Sequence, residues 1–531
     1  MRDSRRANAA AFIVAAATAA AFFPILSNGW AGGWDDGPFL LGNPFYRGLG
    51  LAQLRWMFTS FLGDHYQPLT WMSFGLDYLL WGMNPAGYHA TSLALHAAAA
   101  VLYFFLARRL LRAAGGSELE SAFAALLFSV HPLRVEAVAW AADRRDVLAG
   151  FFFLAALLAY ARAGDEPRRR WPWLAASCAA FALSLLSKAV ALALPAALLV
   201  WDWYPGRRLA TRAGRRAALI EKIPFAGLSL AAGLGLRAAM SSALRPLGSD
   251  VTLERAAQAA YGLAFYVGKT IFPAGLSPLY ELPARLDPLA PLWLLCASLA
   301  VLITVLVYRL RRKMPGVLAA WLFYALMIFP MLGLATASYT LAADRYSYIA
   351  CMPWPLLAAE ALRRLRLRFR DGALAAAASL LFILGALTWR QCLIWSDPLS
   401  LWSHAAEVAP DSSIARLNVG DALAAQGRFE EAAANLSAAV AINPACVAAQ
   451  KRLASGGVDA AEASKLRGVL MANPVCLEAY GDLVTLRASR GEDMDGAEAF
   501  FESLLDWGLR RPGLESNLAM VRAAKLARKT R

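Results

Sequence analysis

Four separated stretches of this 531-residue chain set acids and bases among apolar residues. The first, GGWDDGPFLLGNP at 32–44, places Asp35 beside Asp36. The second, HPLRVEAVAWAADRRD at 131–146, gathers His131, Arg134, Glu136, Arg144, Arg145 and Asp146 between two apolar runs. LLSKAVALALP contributes one cation, Lys188, and ATASYTLAADRYSYIA contributes Asp344, Arg345, Tyr346 and Tyr348. Charge at this density is costly at membrane depth and is by default functional. Cations at fixed points would hold a phosphate and stabilise the charge that develops as it leaves. A carboxylate nearby would take the proton from an attacking hydroxyl, and a second carboxylate beside it can raise its proton affinity. The set suits transfer from a lipid-phosphate donor at a membrane face, with either Asp35 or Asp36 as the base.

The elements that must position these groups are membrane helices. Hydrophobic residues make up 59% of the chain and charged ones 17%, against about 45–50% and about 25% in soluble domains. Runs long and apolar enough to span fall near 8–26, 88–107, 121–133, 146–163, 171–187, 188–204, 223–240, 289–308, 315–334, 346–362 and 373–394. The N-terminal MRDSRR and the run after it resemble a signal peptide but lack a cleavage site, and are read as a retained first helix. With those arginines cytoplasmic, alternation puts RRLLR (108–112), RRR (168–170) and the arginines of 207–216 inside, with the acidic loop outside. A twelfth candidate at 254–276 carries Gln258, Lys269 and Pro273. If it crossed, RLRRK (309–313) and RRLRLRFR (363–370) would fall outside, so it is expected to lie at the outer surface as an amphipathic helix. Eleven crossings then leave the C-terminus outside. The net charge of +15 is spread in short clusters between spans, which reads as membrane topology and excludes a nucleic-acid surface.

After residue 395 the composition changes to small residues with helical periodicity. A 34-residue repeat counted from Ser413 puts Gly420, Ala432, Leu436, Ala439 and Pro444 at the tetratricopeptide positions. Prolines at 410, 444, 474 and 512 mark one good repeat and degenerate neighbours, near the minimum for a stable stack. The six cysteines show no metal-ligand spacing. Cys446 and Cys476 follow prolines at equivalent places, which fits either a disulfide outside the cytosol or repeat register.

WDDGPFLLGNP, YQPLTWMSFGLDYLLWGMNPAGYHATSLALH, HPLRVEAVAWAADRRDVLAG, LLSKA, KTIFPAGLSPLY, DRYSYI and the repeat tail, in this order, resemble the bacterial relatives of the transmembrane and tetratricopeptide-repeat-containing O-mannosyltransferases of the GT-C superfamily. The resemblance implies a membrane domain of about eleven spans with an outward-facing active site and repeats on the same side. It implies Asp35 as catalytic base with Asp36 its companion. It assigns His131, Glu136, Arg144 and Asp146 to the second-loop motif, Lys188 to a Ser-Lys turn, and Asp344 and Arg345 to an acid-Arg pair, with Arg345 on the donor phosphate. Tyr66, Tyr88 and His89 match family positions that could meet an acceptor or serve structure alone. Two positions depart: Gln67 stands where eukaryotic members have Arg, and Ala189 where they often have Glu. Both touch the implied donor site, so the sugar stays open between mannose and another polyprenyl-phosphate-linked monosaccharide.

The fold expected is all-α: a GT-C-like transmembrane domain over 1–394 and a tetratricopeptide α-solenoid over 395–531. The function expected is an inverting glycosyltransferase moving a monosaccharide from a polyprenyl phosphate to a hydroxyl acceptor, such as Ser or Thr of an exported protein engaged through the repeats. No cofactor is expected and no metal, although paired acids can hold a divalent cation. Neither GxGxxG nor GxxxxGK[ST] is present, in keeping with a lipid donor. The Ala- and Arg-rich composition points to a bacterial inner membrane. A membrane-anchored scaffold recruiting periplasmic partners is the alternative, and it makes the outer-loop charges dispensable. A transporter would gather polar residues at mid-membrane, whereas here they collect at one face.

Overall fold

Proline and short polar side chains decide where the helices begin. Pro85 opens helix α4 (Pro85–Arg112), and the Asn84 side chain accepts from the Ala86 N–H at 3.1 Å. Helix α5 (Glu118–Ser129) starts on a capping box in which Ser117 and Glu120 satisfy each other's backbone N–H. Helix α5 then stops where His131-Pro132 cannot continue it, and the chain bends by 55° into Pro132–Ala139. The carbonyls freed at this break do not go unpaired. His96 Nε2 is bonded to Ser129 O at 3.0 Å, and Thr388 Oγ1 donates to Val130 O at 2.7 Å. Side chains from α4 and from helix α16 (Arg370–Ile394) thus replace the missing helical partners, the condition for broken backbone in an apolar bundle.

The computed structural model describes residues 2–32, 34–239, 252–283, 286–334, 340–442, 481–482, 484–485, 494–506 and 512–529. The second repeat, with Cys476, and the end of the first, with Pro444 and Cys446, lie outside the described residues. The chain is almost wholly helical and forms two units, Met1–Ser396 and Asp397–Arg531. Each of the eleven apolar runs contains a helix. Six helical stretches among the described residues are long and apolar enough to cross a membrane: Asp3–Ser27, Pro85–Arg112, Ala141–Asp165, Arg212–Ala238, Pro291–Leu310 and Arg370–Ile394. The bent pair at 118–139 makes a seventh if counted as one span, while Leu194–Trp203 and Pro315–Met331 are apolar but shorter. Several long apolar helices mark a multi-pass membrane protein; among the described residues fewer pass on length and composition than the eleven runs, because several runs are divided by proline or end in charge. The twelfth candidate is helix α11 (Thr252–Ile271), which is not among the six.

Helix α7 (Arg144–Asp165) and helix α8 (Arg170–Ser187) pack antiparallel. Ser177 and Ser184, seven residues apart on one face, donate to Ala156 O and Ala149 O at 2.8 Å each. At the far end of this pair a buried network ties four helices. Asp202 accepts from Tyr160 at 2.7 Å and from Arg208 at 2.9 Å and is bonded to Lys222, while Glu221 pairs with Arg170 and Arg208. The sequence does not mark this cluster, because its members lie in five separate segments.

The second unit begins with Asp397 capping helix α17 (Pro398–Val408) at Ser400 N, 3.0 Å. Helices α18 (Ser413–Ala425) and α19 (Phe429–Ala441) form a pair in which a Cβ on Gly420 would come within 2.7 Å of Leu436 Cγ. That close approach explains the glycine at position 8 of the counted repeat. Removing one partner of a buried charge network leaves the others unpaired at a cost of about 3–5 kcal/mol, whereas one serine bond between membrane helices is worth about 0.6 kcal/mol. Asp202→Ala is therefore expected to lower the thermal unfolding midpoint in detergent severely, with Ser177→Ala nearly neutral; equal effects would contradict this.

Candidate active site

The acidic loop is fastened to the bend before α7 by Asp36. Its two carboxylate oxygens accept from Ala31 N and Ala142 N, each at 2.8 Å, and the residue is fully buried. Asp35, by contrast, keeps 25% of its side chain exposed, and its Oδ2 meets Arg145 Nη2 at 3.0 Å. Neighbouring acids thus have different surroundings: one is spent on the backbone and one reaches open space.

From Asp35 a chain of alternating charge runs inward. Arg145 Nε donates to Asp143 Oδ1 at 3.0 Å, and Lys188 Nζ reaches Asp143 Oδ1 at 3.2 Å and Asp146 Oδ2 at 2.6 Å. The local sequence explains the grouping. Asp143 and Asp146, three apart at the start of α7, lie on one face of the helix, and Lys188 enters from the turn after α8, which runs back to the same end. Arg145 is 3% exposed, and its Nη1 has no hydrogen-bond partner.

A second ion pair stands beside this chain. Glu136 accepts from the Arg345 backbone N–H at 2.7 Å and from its guanidinium. Arg345 also lies over the rings of Trp140 at 5.3 Å and Tyr346 at 5.0 Å. Arg145 is 5.9 Å from the same Trp140 ring, so both guanidinium groups lie against one indole. Trp34, next to Asp35, packs against Trp140 at 4.7 Å. Asp344 accepts from Tyr280 Oη at 3.0 Å, where strands β1 (Tyr280–Glu281) and β2 (Thr340–Ala342) pair antiparallel. Burial, with Glu136 nearby, holds the Asp344 carboxyl well above the usual carboxylate range.

The structure therefore brings Asp35, Asp36, Glu136, Asp146, Lys188, Asp344 and Arg345 to one end of the bundle. Arg144 is not with them. Consecutive residues on a helix diverge by about 100°, and Arg144 turns away to pair with Asp77, donate to Tyr88 O at 2.7 Å and lie over Phe74 at 4.7 Å. Arg145 occupies the place expected of Arg144. His131 Nδ1 accepts from Leu133 N at 3.2 Å and its Nε2 meets Thr270 O at 3.1 Å, which fixes the bend to α11. His89 holds Gly29 O at 3.1 Å, Tyr88 meets Tyr46 hydroxyl to hydroxyl at 3.1 Å, and Tyr66 donates to Phe58 O at 3.2 Å. These four support the loops around the cluster. Arg145, one of the charges the sequence gathers in the second stretch, joins the site although the resemblance assigns Arg144 in its place; Asp143, Trp34 and Trp140 join it unassigned, the three-residue spacing of Asp143 and Asp146 being the available signal. Gln67 is 1% exposed, and both polar atoms of its amide lack a partner.

Burial pushes the Asp36 carboxyl from its ordinary 3.8 up to about 7, against the backbone N–H groups of Ala142 and Ala31, which favour the charged form. The folded chain therefore holds a proton here that the unfolded chain has released. Stability from this residue is fully present below the unfolded value and is lost as pH rises through the folded one. The melting temperature of wild type minus that of Asp36→Asn is expected to decline from about pH 4 to about pH 8. A difference that stays flat would contradict the burial of this acid.

Comparison with known proteins places the chain beside one group of enzymes. It is 25% identical over 434 residues to the protein O-mannosyl-transferase F38B6.6 of Caenorhabditis elegans, covering 77% of this chain and 60% of that one. It is 26% identical over 491 residues to the human protein O-mannosyl-transferase TMTC1, covering 81% and 55%. A shorter segment of 127 residues is 40% identical to the Drosophila melanogaster protein O-mannosyl-transferase Tmtc3, covering 20% and 14%. The chain thus spans between half and two thirds of the length of the first two. No family model and no solved structure matches it. Along most of its length the chain is similar to animal proteins named as O-mannosyl-transferases.

Proposed function

We propose that the chain is an inverting glycosyltransferase that moves a monosaccharide, mannose or another sugar, from a polyprenyl phosphate to a hydroxyl of an exported protein. The observation that carries this reading is the pairing of a partly open carboxylate, Asp35, with a buried arginine, Arg145, that keeps one N–H unpartnered. Similarity to proteins named O-mannosyl-transferases supports the class of reaction. Asp35 is the base: its neighbour Asp36 already accepts two backbone bonds and is sealed from solvent.

In this mechanism the acceptor oxygen attacks the anomeric carbon from the face opposite the phosphate. The bond from that carbon to the phosphate oxygen breaks, and the lipid phosphate leaves with the electron pair. The acceptor proton passes to Asp35, which Arg145 holds in place. Arg145, Arg345 and Lys188 stabilise the charge that grows on the leaving phosphate, in a setting where fixed donors act without reorganising. The site faces the outside of a bacterial inner membrane, with the N-terminus cytoplasmic and the C-terminal repeats periplasmic, available to an exported acceptor protein.

Loss of a general base costs about 10²–10⁴-fold in rate. With purified protein in detergent, radiolabelled polyprenyl-phosphate monosaccharides and a peptide mixture, wild type is expected to transfer at least one sugar. Asp35→Asn should lower turnover by about 10²–10⁴-fold with the donor KM little changed. Intact donors throughout, or an active Asp35→Asn variant, would contradict the reading and favour a membrane-anchored scaffold.

A further inference from the structure

At the end of the bundle away from the acidic loop lies a cavity of about 840 Å³, within the roughly 300–1,000 Å³ of ligand sites. Leu157 in its wall follows Arg144 by 13 residues of α7, about 20 Å at about 1.5 Å per residue. The walls are aliphatic and aromatic, from Leu106, Leu110, Trp201, Phe323, Leu356 and Leu357. The rim is charged, with Arg207, Lys313, Arg363 and Arg364 against a single carboxylate, Glu360. Glu360 is already engaged by Arg363 and Arg364, at 2.7 Å each. Arg207 and Lys313 are exposed and have no ion-pair partner among the described residues. Arg207 is also the one non-glycine residue with a left-handed φ, +51°, among the described residues, an outlier of the kind that marks ligand clamps.

Basic tracts distant in the sequence, after helix α9 (Leu194–Trp203), before helix α13 (Pro315–Ile328) and along helix α15 (Pro353–Arg368), meet at this rim. The bundle surface is hydrocarbon-like: Leu295, Leu302 and Phe382 on helix α12 (Pro291–Leu310) and α16 are more than half exposed. An occupant must therefore be apolar along most of its length and anionic at one end. We propose that the cavity holds one anionic phospholipid of the surrounding bilayer, its phosphate on Arg207 and Lys313 and an acyl chain along the aliphatic walls. Basic pockets between membrane helices bind anionic headgroups on the same physical grounds. A free phosphate would leave the walls unfilled, and a zwitterionic lipid would leave the excess rim charge unmatched.

The test uses the full chain reconstituted in mixed phosphatidylcholine and phosphatidylglycerol vesicles, extracted into mild detergent and weighed intact by native mass spectrometry. One phosphatidylglycerol per chain is expected, retained out of proportion to its share. Lys313→Gln and Arg207→Gln should each reduce retention by about fivefold. Ala361→Trp, at the exposed edge of the cavity, should abolish it. Equal retention of phosphatidylcholine, retention unchanged in all three variants, displacement by inorganic phosphate alone, or preference for an added polyprenyl phosphate would each overturn the proposal. The readout involves no sugar transfer, so it stands or falls separately from the transferase reading.

Discussion

Burying charge in an apolar bundle is the constraint on which the rest of this architecture depends. A lone ion there is prohibitive, and a pair is tolerable only when geometry and further hydrogen bonds offset the lost hydration. The chain answers with alternation: Asp35, Arg145, Asp143, Lys188 and Asp146 are joined in sequence, each interior charge touching opposite charges on both sides. Glu136 and Arg345 form the same arrangement in miniature. None of the interior members, Arg145, Asp143 or Lys188, can be exchanged alone without stranding its neighbours, so the cluster fastens the loops together.

The fold serves this cluster by breaking regular structure where the charges enter. The 55° bend after α5 brings the His131–Ala142 segment back into the bundle, and Thr388 and His96 take up the freed carbonyls. Asp36 then clamps the acidic loop across the bend, which leaves Asp35 as the acid with an open side. At the opposite end the Asp202 network performs the equivalent fastening without an open carboxylate. The two ends of one bundle are thus chemically distinct, one acidic and partly open, the other basic around an apolar cavity.

Much of this was legible in the sequence, for reasons that differ by feature. Apolar runs announce helices because the bilayer demands length, and each run holds one; among the described residues fewer helices reach full spanning length, because proline and clustered charge cut several runs short. The stretches containing Asp35, Glu136, Lys188 and Arg345 stood out because isolated charges in apolar sequence are costly. Their partners did not stand out. Whether Arg144 or Arg145 faces the cluster depends on the rotation of α7, set by packing against Asp77 and Phe74 from another helix. Tyr280 becomes a neighbour of Asp344 only through a two-stranded pairing of distant segments. Gly420 was legible because the repeat count expects a small residue there, and Leu436 of the next helix does approach it closely.

In the proposed mechanism the cations of this cluster hold a lipid-linked sugar phosphate, while Asp35 takes the acceptor proton and contributes little to binding. The direct measurement is the Kd of a donor analogue in which carbon replaces the sugar–phosphate oxygen, titrated into wild type, Asp35→Asn, Arg145→Lys and Arg345→Lys. Lysine keeps the buried charge balanced but loses the guanidinium fork. Near-equal affinity is expected for wild type and Asp35→Asn, and a loss of about tenfold or more in both lysine variants. Equal affinity in all four proteins, or no binding to wild type, would contradict it.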